Sequence, residues 1–139
     1  MATMRRATLL AVGCAICLLV AGRHGYAQGP SIYVIGGHAV TLSRAGVKEV
    51  FLADKMFAGS VKLIVVDNAG ARAAFLSRVL GMSQGKYESI WAKKAFRDAV
   101  NPPKVLATDA DVVEFVKRTP EAVGYVLTEP SGVTVIQKQ

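Results

Sequence analysis

Leu63-Ile64-Val65-Val66-Asp67-Asn68-Ala69-Gly70-Ala71-Arg72-Ala73-Ala74-Phe75 joins a continuous apolar run to a turn of small residues and then to a helix-compatible segment. The run Leu63 to Val66 lacks polar alternation, so it reads as a strand buried on both faces, as in a parallel sheet. Phe75, Leu76, Val79 and Leu80 fall on one helical stripe that Gly81 ends. Small side chains at Ala69, Gly70 and Ala71 let a ligand approach the free N–H groups of the first helical turn. Those donors and the helix dipole favour an anion, and Arg72 adds a planar cationic fork suited to an oxyanion. Asp67 carries the wrong charge for an anion site unless it accepts a hydrogen bond from a protonated oxyanion. An Asp or Asn at this kind of turn also caps the helix, and Arg72 reads equally as a solvated first-turn residue. In open α/β sheets, ligands bind beyond the carboxyl ends of strands, which is where this turn lies.

Outward from that junction, the chain alternates strand and helix signals. Ile32-Tyr33-Val34-Ile35 is an apolar run rich in β-formers, stopped by Gly36-Gly37. Ser43 stands where an N-cap should, before Val47, Val50 and Phe51. Ser83 caps a further helix with Tyr87, Ile90 and Trp91 on one stripe. Asn101-Pro102-Pro103 breaks the chain before a short strand from Lys104 to Leu106. Thr108 or Asp109 caps the last helix, whose inner face carries Val112, Phe115 and Val116, with Pro120 beyond its end. Val123 to Leu127 and Val133 to Ile136 close the chain around Pro130-Ser131-Gly132. The order β-α-β-α-α-β-α-β-β implies the α/β class: a single layered domain with a largely parallel or mixed sheet of about five strands, flanked by about four helices. One core is expected to hold Val65, Phe75, Trp91, Phe115 and Val126.

The 139 residues suffice for one domain with one core. Residues 1–27 read as an export signal: Arg5 and Arg6 open it, Ala7 to Ala21 form its apolar run, and Gly25-Tyr26-Ala27 is a small-residue exit before Gln28. The run falls short of a bilayer core, which favours cleavage over an uncleaved anchor; the membrane then enters only through export, and the domain proper is 28–139. A competing reading attaches lipid at Cys14 after Ala11-Val12-Gly13, or at Cys17; the apolar run continues through Val20, where a lipid-attachment site should end it. Removing Arg5, Arg6 and Arg23 lowers the formal charge of +7 by three, to +4, and both cysteines leave with the signal. His38 is then the one histidine. A disulfide, a thiolate nucleophile, a cysteine-ligated metal and a histidine cluster are all excluded, and no cofactor is implied. No Gly-x-Ser-x-Gly elbow or Gly-x-x-x-x-Gly-Lys-[Ser/Thr] loop is present, so enzyme chemistry finds no support. Mild positive charge without interleaved aromatics is no nucleic-acid footprint. His38 reads as a loop residue, Lys93 and Lys94 as a wet helix face, and Trp91 as core.

With these segments placed, the sequence resembles the phosphate ABC-transporter substrate-binding proteins of the type II periplasmic binding fold. Leu42-Ser43-Arg44-Ala45-Gly46-Val47-Lys48-Glu49-Val50-Phe51-Leu52 resembles the family helix before its Gly-Lys turn, here Ala53-Asp54-Lys55. Val65 to Arg72, followed by Phe75, resembles the Asp-Gly-Ser-Gly-Thr phosphate loop and its helix. Trp91 matches a family tryptophan helix. Asp111 to Val126, ending Thr119-Pro120-Glu121-Ala122-Val123-Gly124-Tyr125-Val126, is close to the family's Pro-Gly-Ala-Ile-Gly-Tyr-Val. The resemblance runs from about Ile32 to Ile136 and covers the family's second lobe only; the Thr-Gly-Ala-Gly-type loop of the first lobe has no counterpart. The family's hydroxyl positions fall on Ala69 and Ala71, and its upstream arginine is replaced by Val65-Val66.

The resemblance implies a secreted, periplasmic, non-catalytic protein that binds phosphate or a similar oxyanion through Asp67, Asn68, Ala69, Gly70, Ala71 and Arg72. In this reading Asp67 accepts from the ligand, the Ala69–Ala71 backbone donates, and Arg72 pairs with charge. A transporter permease, or a second lobe supplied by another chain, is the implied protein partner. The alternative is a protein–protein interaction module that kept the lobe and lost the small ligand. The processing expectation is open to direct measurement: intact mass of periplasmic material should show loss of residues 1–27. A full-length mass, or a diacylglycerol adduct at Cys14 or Cys17, would sink it.

Overall fold

Uninterrupted apolar runs such as Ile32–Ile35 and Leu63–Val66 call for a sheet covered on both faces, and the computed structural model, which describes residues 29–139, has a packed cluster on each face. The export signal and the lipidation alternative lie outside the described residues. Strand β1 (Tyr33–Gly36) leads to helix α1 (Arg44–Phe51), a hairpin of β2 (Phe57–Ala58) and β3 (Val61–Lys62), and strand β4 (Ile64–Asn68). Helix α2 (Arg72–Phe75) runs directly into a π-helical turn, Leu76–Leu80, which Gly81 ends in the left-handed region. Then come α3 (Gln84–Asp98), β5 (Lys104–Leu106), α4 (Asp109–Arg118), β6 (Ala122–Val126) and β7 (Thr134–Lys138). Ser43, Ser83 and Thr108 cap α1, α3 and α4, each hydroxyl accepting from the N–H three residues on; the choice between Thr108 and Asp109 falls to Thr108.

The five-stranded sheet has the order β5-β4-β6-β1-β7. β4 runs parallel to both β5 and β6, while β1 lies antiparallel to β6 and β7. The sheet is therefore mixed, its parallel half centred on the Leu63–Val66 run. The β2–β3 hairpin, turning at Gly59 with φ +62, was not anticipated, because two-residue strands carry no readable period.

Side chains of alternating strand positions sort to opposite faces. Ile32, Val34, Val123 and Tyr125 meet α1, α2 and α3; Tyr33, Ile35, Val66 and Val126 meet α4. The expected single core is thus two clusters separated by the sheet. Phe75 and Trp91 are buried in the first and Val126 in the second. Val65 and Phe115 are half-buried and not core residues; the Phe115 ring lies at a flank, with Lys104 Nζ 5.7 Å from its centroid. No helix among the described residues is long and apolar enough to cross a membrane.

Helix α4 seats on β6 where a side chain is missing. A Cβ on Gly124 would lie 2.7 Å from Val112 Cγ1 and 2.9 Å from Val66 Cγ2, closer than van der Waals contact allows. Both neighbours are short, branched and buried, so neither swings aside. Gly124→Ala should therefore cost about 1–3 kcal/mol by overpacking, read as a lowered urea midpoint with an unchanged m value. An unchanged midpoint would mean that α4 does not press on β6 at this point.

Candidate functional site

Strand β4 ends with Val66, Asp67 and Asn68 all buried, and strand alternation sends Asp67 to the α1–α3 face and Asn68 to the α4 face. A carboxylate on a buried face requires donors, and three side chains supply them. Arg72 Nη2 donates to Asp67 Oδ2 at 2.8 Å, Tyr125 OH to Oδ1 at 3.0 Å, and Tyr87 OH to both oxygens at 3.2 and 3.3 Å. Asn68 brackets the other side: its Nδ2 donates to Asp109 Oδ1 at 2.6 Å and to the Tyr125 carbonyl at 3.1 Å. Asp109 also accepts from the N–H groups of Leu127 and Thr128, tying the start of α4 to the end of β6. Burial alone would raise the Asp109 carboxyl, but the Thr128 N–H, Asn68 and Leu127 N–H outweigh it and hold it below the ordinary carboxylate range.

The turn itself differs from expectation in which amides are free. Ala69 N donates to the Leu106 carbonyl, Gly70 N to Asn68 Oδ1 and Ala71 N to the Asn68 carbonyl. These three donors are spent inside the protein because Asn68 folds the turn back on its own backbone. The first helix bond is Phe75 N to the Ala71 carbonyl, so the amides of Arg72, Ala73 and Ala74 are without a protein acceptor among the described residues. The Asp67 oxygens are likewise engaged by protein donors. Arg72 makes its one side-chain hydrogen bond to Asp67 and keeps 21% of its side-chain surface in solvent; its buried Nε has no partner among the described residues.

Asp67, Asn68 and Arg72 thus come together, and Ala69–Ala71 form the small turn between them. Tyr87, Tyr125 and Asp109 complete the arrangement and were not picked out as site residues. No local spacing points to them: Tyr87 and Tyr125 lie 20 and 58 residues from Asp67. His38 is exposed on the loop after β1, Lys94 pairs with Asp54, and the Trp91 indole N–H donates to the Phe51 carbonyl. Among the described residues, no three metal-ligating side chains are grouped.

Burial first, and the Asp67 charge second, push both tyrosine phenols above their ordinary value. Above pH 10 the unfolded chain releases phenolic protons that the folded chain keeps, so stability falls as pH rises. For each of the two tyrosines the slope should grow from about 0.7 kcal/mol per pH unit at pH 10 toward about 1.4 by pH 11.5, measured by denaturation across that range. Tyr87→Phe should roughly halve that slope; an unaltered slope would remove Tyr87 from the cluster.

No family model matches the sequence, and no curated protein matches it. The structure is similar to that of a phosphate ABC transporter substrate-binding protein with bound phosphate from Clostridium perfringens, with a TM-score of 0.58 and 12% sequence identity. The match covers 78% of this chain and 45% of that one, so this chain spans less than half the length of its structural relative. At that identity the likeness is one of fold. The chain has the α/β architecture of one lobe of a substrate-binding protein, as the resemblance of its sequence implied.

Proposed function

We propose that the protein is a periplasmic, non-catalytic binding protein whose Asp67–Arg72 turn takes phosphate or a similar oxyanion, as transporter substrate-binding components do. One observation carries this reading: Arg72 is clamped by Asp67 at the open end of β4, with guanidinium donors and the amides of Arg72, Ala73 and Ala74 left without partners among the described residues. Asp67 serves by fixing the fork of Arg72, its own oxygens being engaged already. Asn68 closes the turn, and Ala69, Gly70 and Ala71 keep it low enough for an anion to reach the donors. One lobe encloses half of an anion, so a transporter permease, or a second lobe from another chain, would complete the enclosure.

The engaged amides of Ala69–Ala71 favour a second reading, the interaction module that kept the lobe and lost the ligand. Phe96, 95% exposed on α3, gives such a module an apolar contact.

Calorimetric titration of the processed protein with phosphate and sulfate separates the two. An open half-site leaves charge pairing screened by solvent and salt, so binding should be about millimolar, near −4 kcal/mol, and weaken as salt rises. Arg72→Lys retains a cation against Asp67 but loses the planar fork, and should weaken binding about tenfold. No anion-dependent heat at tens of millimolar would transfer the assignment to the interaction module.

A further inference from the structure

Arg72 also lines a cavity of about 230 Å³ between helix α3 and the edge strand β5. Its walls are apolar: Trp91 and Ala92 on α3, Pro102 and Pro103 on the following loop, and Val105 on β5. Val105 keeps 48% of its surface exposed because β5 is the last strand of its edge and α3 does not cover it. The charges in this lining are one cation, Arg72, against Asp67 and Glu88. Such a lining repels a dianion more than a monoanion, and its apolar walls contribute only to a ligand with an apolar body. Inorganic phosphate has no such body.

We infer that the preferred ligand of the Arg72 site is a small organic monocarboxylate, its carboxylate on the free guanidinium donors of Arg72 and its apolar body against Trp91, Pro102, Pro103 and Val105. This assignment rests on the oxyanion reading above and names the class of oxyanion. The cavity is smaller than the pockets of drug-sized ligands, which begin near about 300 Å³, so a single ring or short branched chain is the appropriate size.

The test compares benzoate, benzamide and inorganic phosphate at fixed ionic strength. It is read from the Arg72 Nε–Hε signal by NMR and from the emission of Trp91, the one tryptophan in the chain. Benzoate should bind about tenfold tighter than phosphate, and tighter than benzamide, which has the ring without the charge. Val105→Phe fills the cavity from an exposed strand position; it should weaken benzoate about tenfold and leave phosphate unchanged. Phosphate binding with benzoate no tighter overturns the monocarboxylate assignment and leaves the oxyanion reading standing. Benzamide as tight as benzoate, or equal loss of both anions in Val105→Phe, also overturns it. If neither anion moves the Arg72 or Trp91 signals, the oxyanion reading falls and this assignment falls with it.

Discussion

A carboxylate buried at the end of a central strand is held by one guanidinium and two phenols, and through it four elements of this domain meet. Asp67 belongs to β4, Arg72 to α2, Tyr87 to α3 and Tyr125 to β6. Such a charge is tolerated inside a protein only when its oxygens are satisfied, and removing one partner of a buried pair typically costs about 3–5 kcal/mol. Aromatic packing fixes the phenol of Tyr125: its ring stacks on Phe75 at 3.8 Å, and Phe51 meets both rings edge-on. Arg72 is therefore a structural residue as well as the candidate anion contact, and its guanidinium is oriented before any ligand arrives.

The mixed sheet places this cluster at the carboxyl-end rim of its parallel strands. Parallel pairing of β4 with β5 and β6 brings three carboxyl ends to one rim, where Asn68 at the end of β4, Asp109 at the start of α4, and Leu127 and Thr128 just after β6 meet. Asp109 bridges the α4 and β6 sides of the rim, while Asn68 uses its amide to tie β4 to both. Antiparallel β1 and β7 extend the sheet away from the rim; β1 is buried along its whole length, whereas β7 is a largely exposed edge. Close seating of α4 over Gly124 then holds the second cluster without displacing the first.

A site built this way trades net charge for order. Arg72 is neutralised by Asp67, and the amides nearest the strand are committed to Asn68 and Leu106. Among the described residues, part of the Arg72 fork and three first-turn amides remain without protein partners, beside an apolar hollow. In such a setting directional hydrogen bonding and apolar contact count for more than bulk electrostatics, because the Arg72 charge is already paired with Asp67.

Local chemistry made most elements of the fold legible in the chain. Leu63–Val66 is apolar without interruption, Ser43, Ser83 and Thr108 stand one residue before amphipathic helices, and Gly81 stops a stripe; each signal acts within a few residues. The turn Asp67–Arg72 was legible for the same reason, as a small-residue junction between a buried strand and a helix. Three things were decided by tertiary structure. The sheet is mixed, because strand direction depends on where distant segments pair and not on strand composition. Phe115 and Val65 are only half-buried, because their neighbours come from other elements. Asp67 points inward to two tyrosines while Arg72 keeps part of its side chain in solvent, because the donors that satisfy a buried carboxylate are brought to it from 20 and 58 residues away by folding alone.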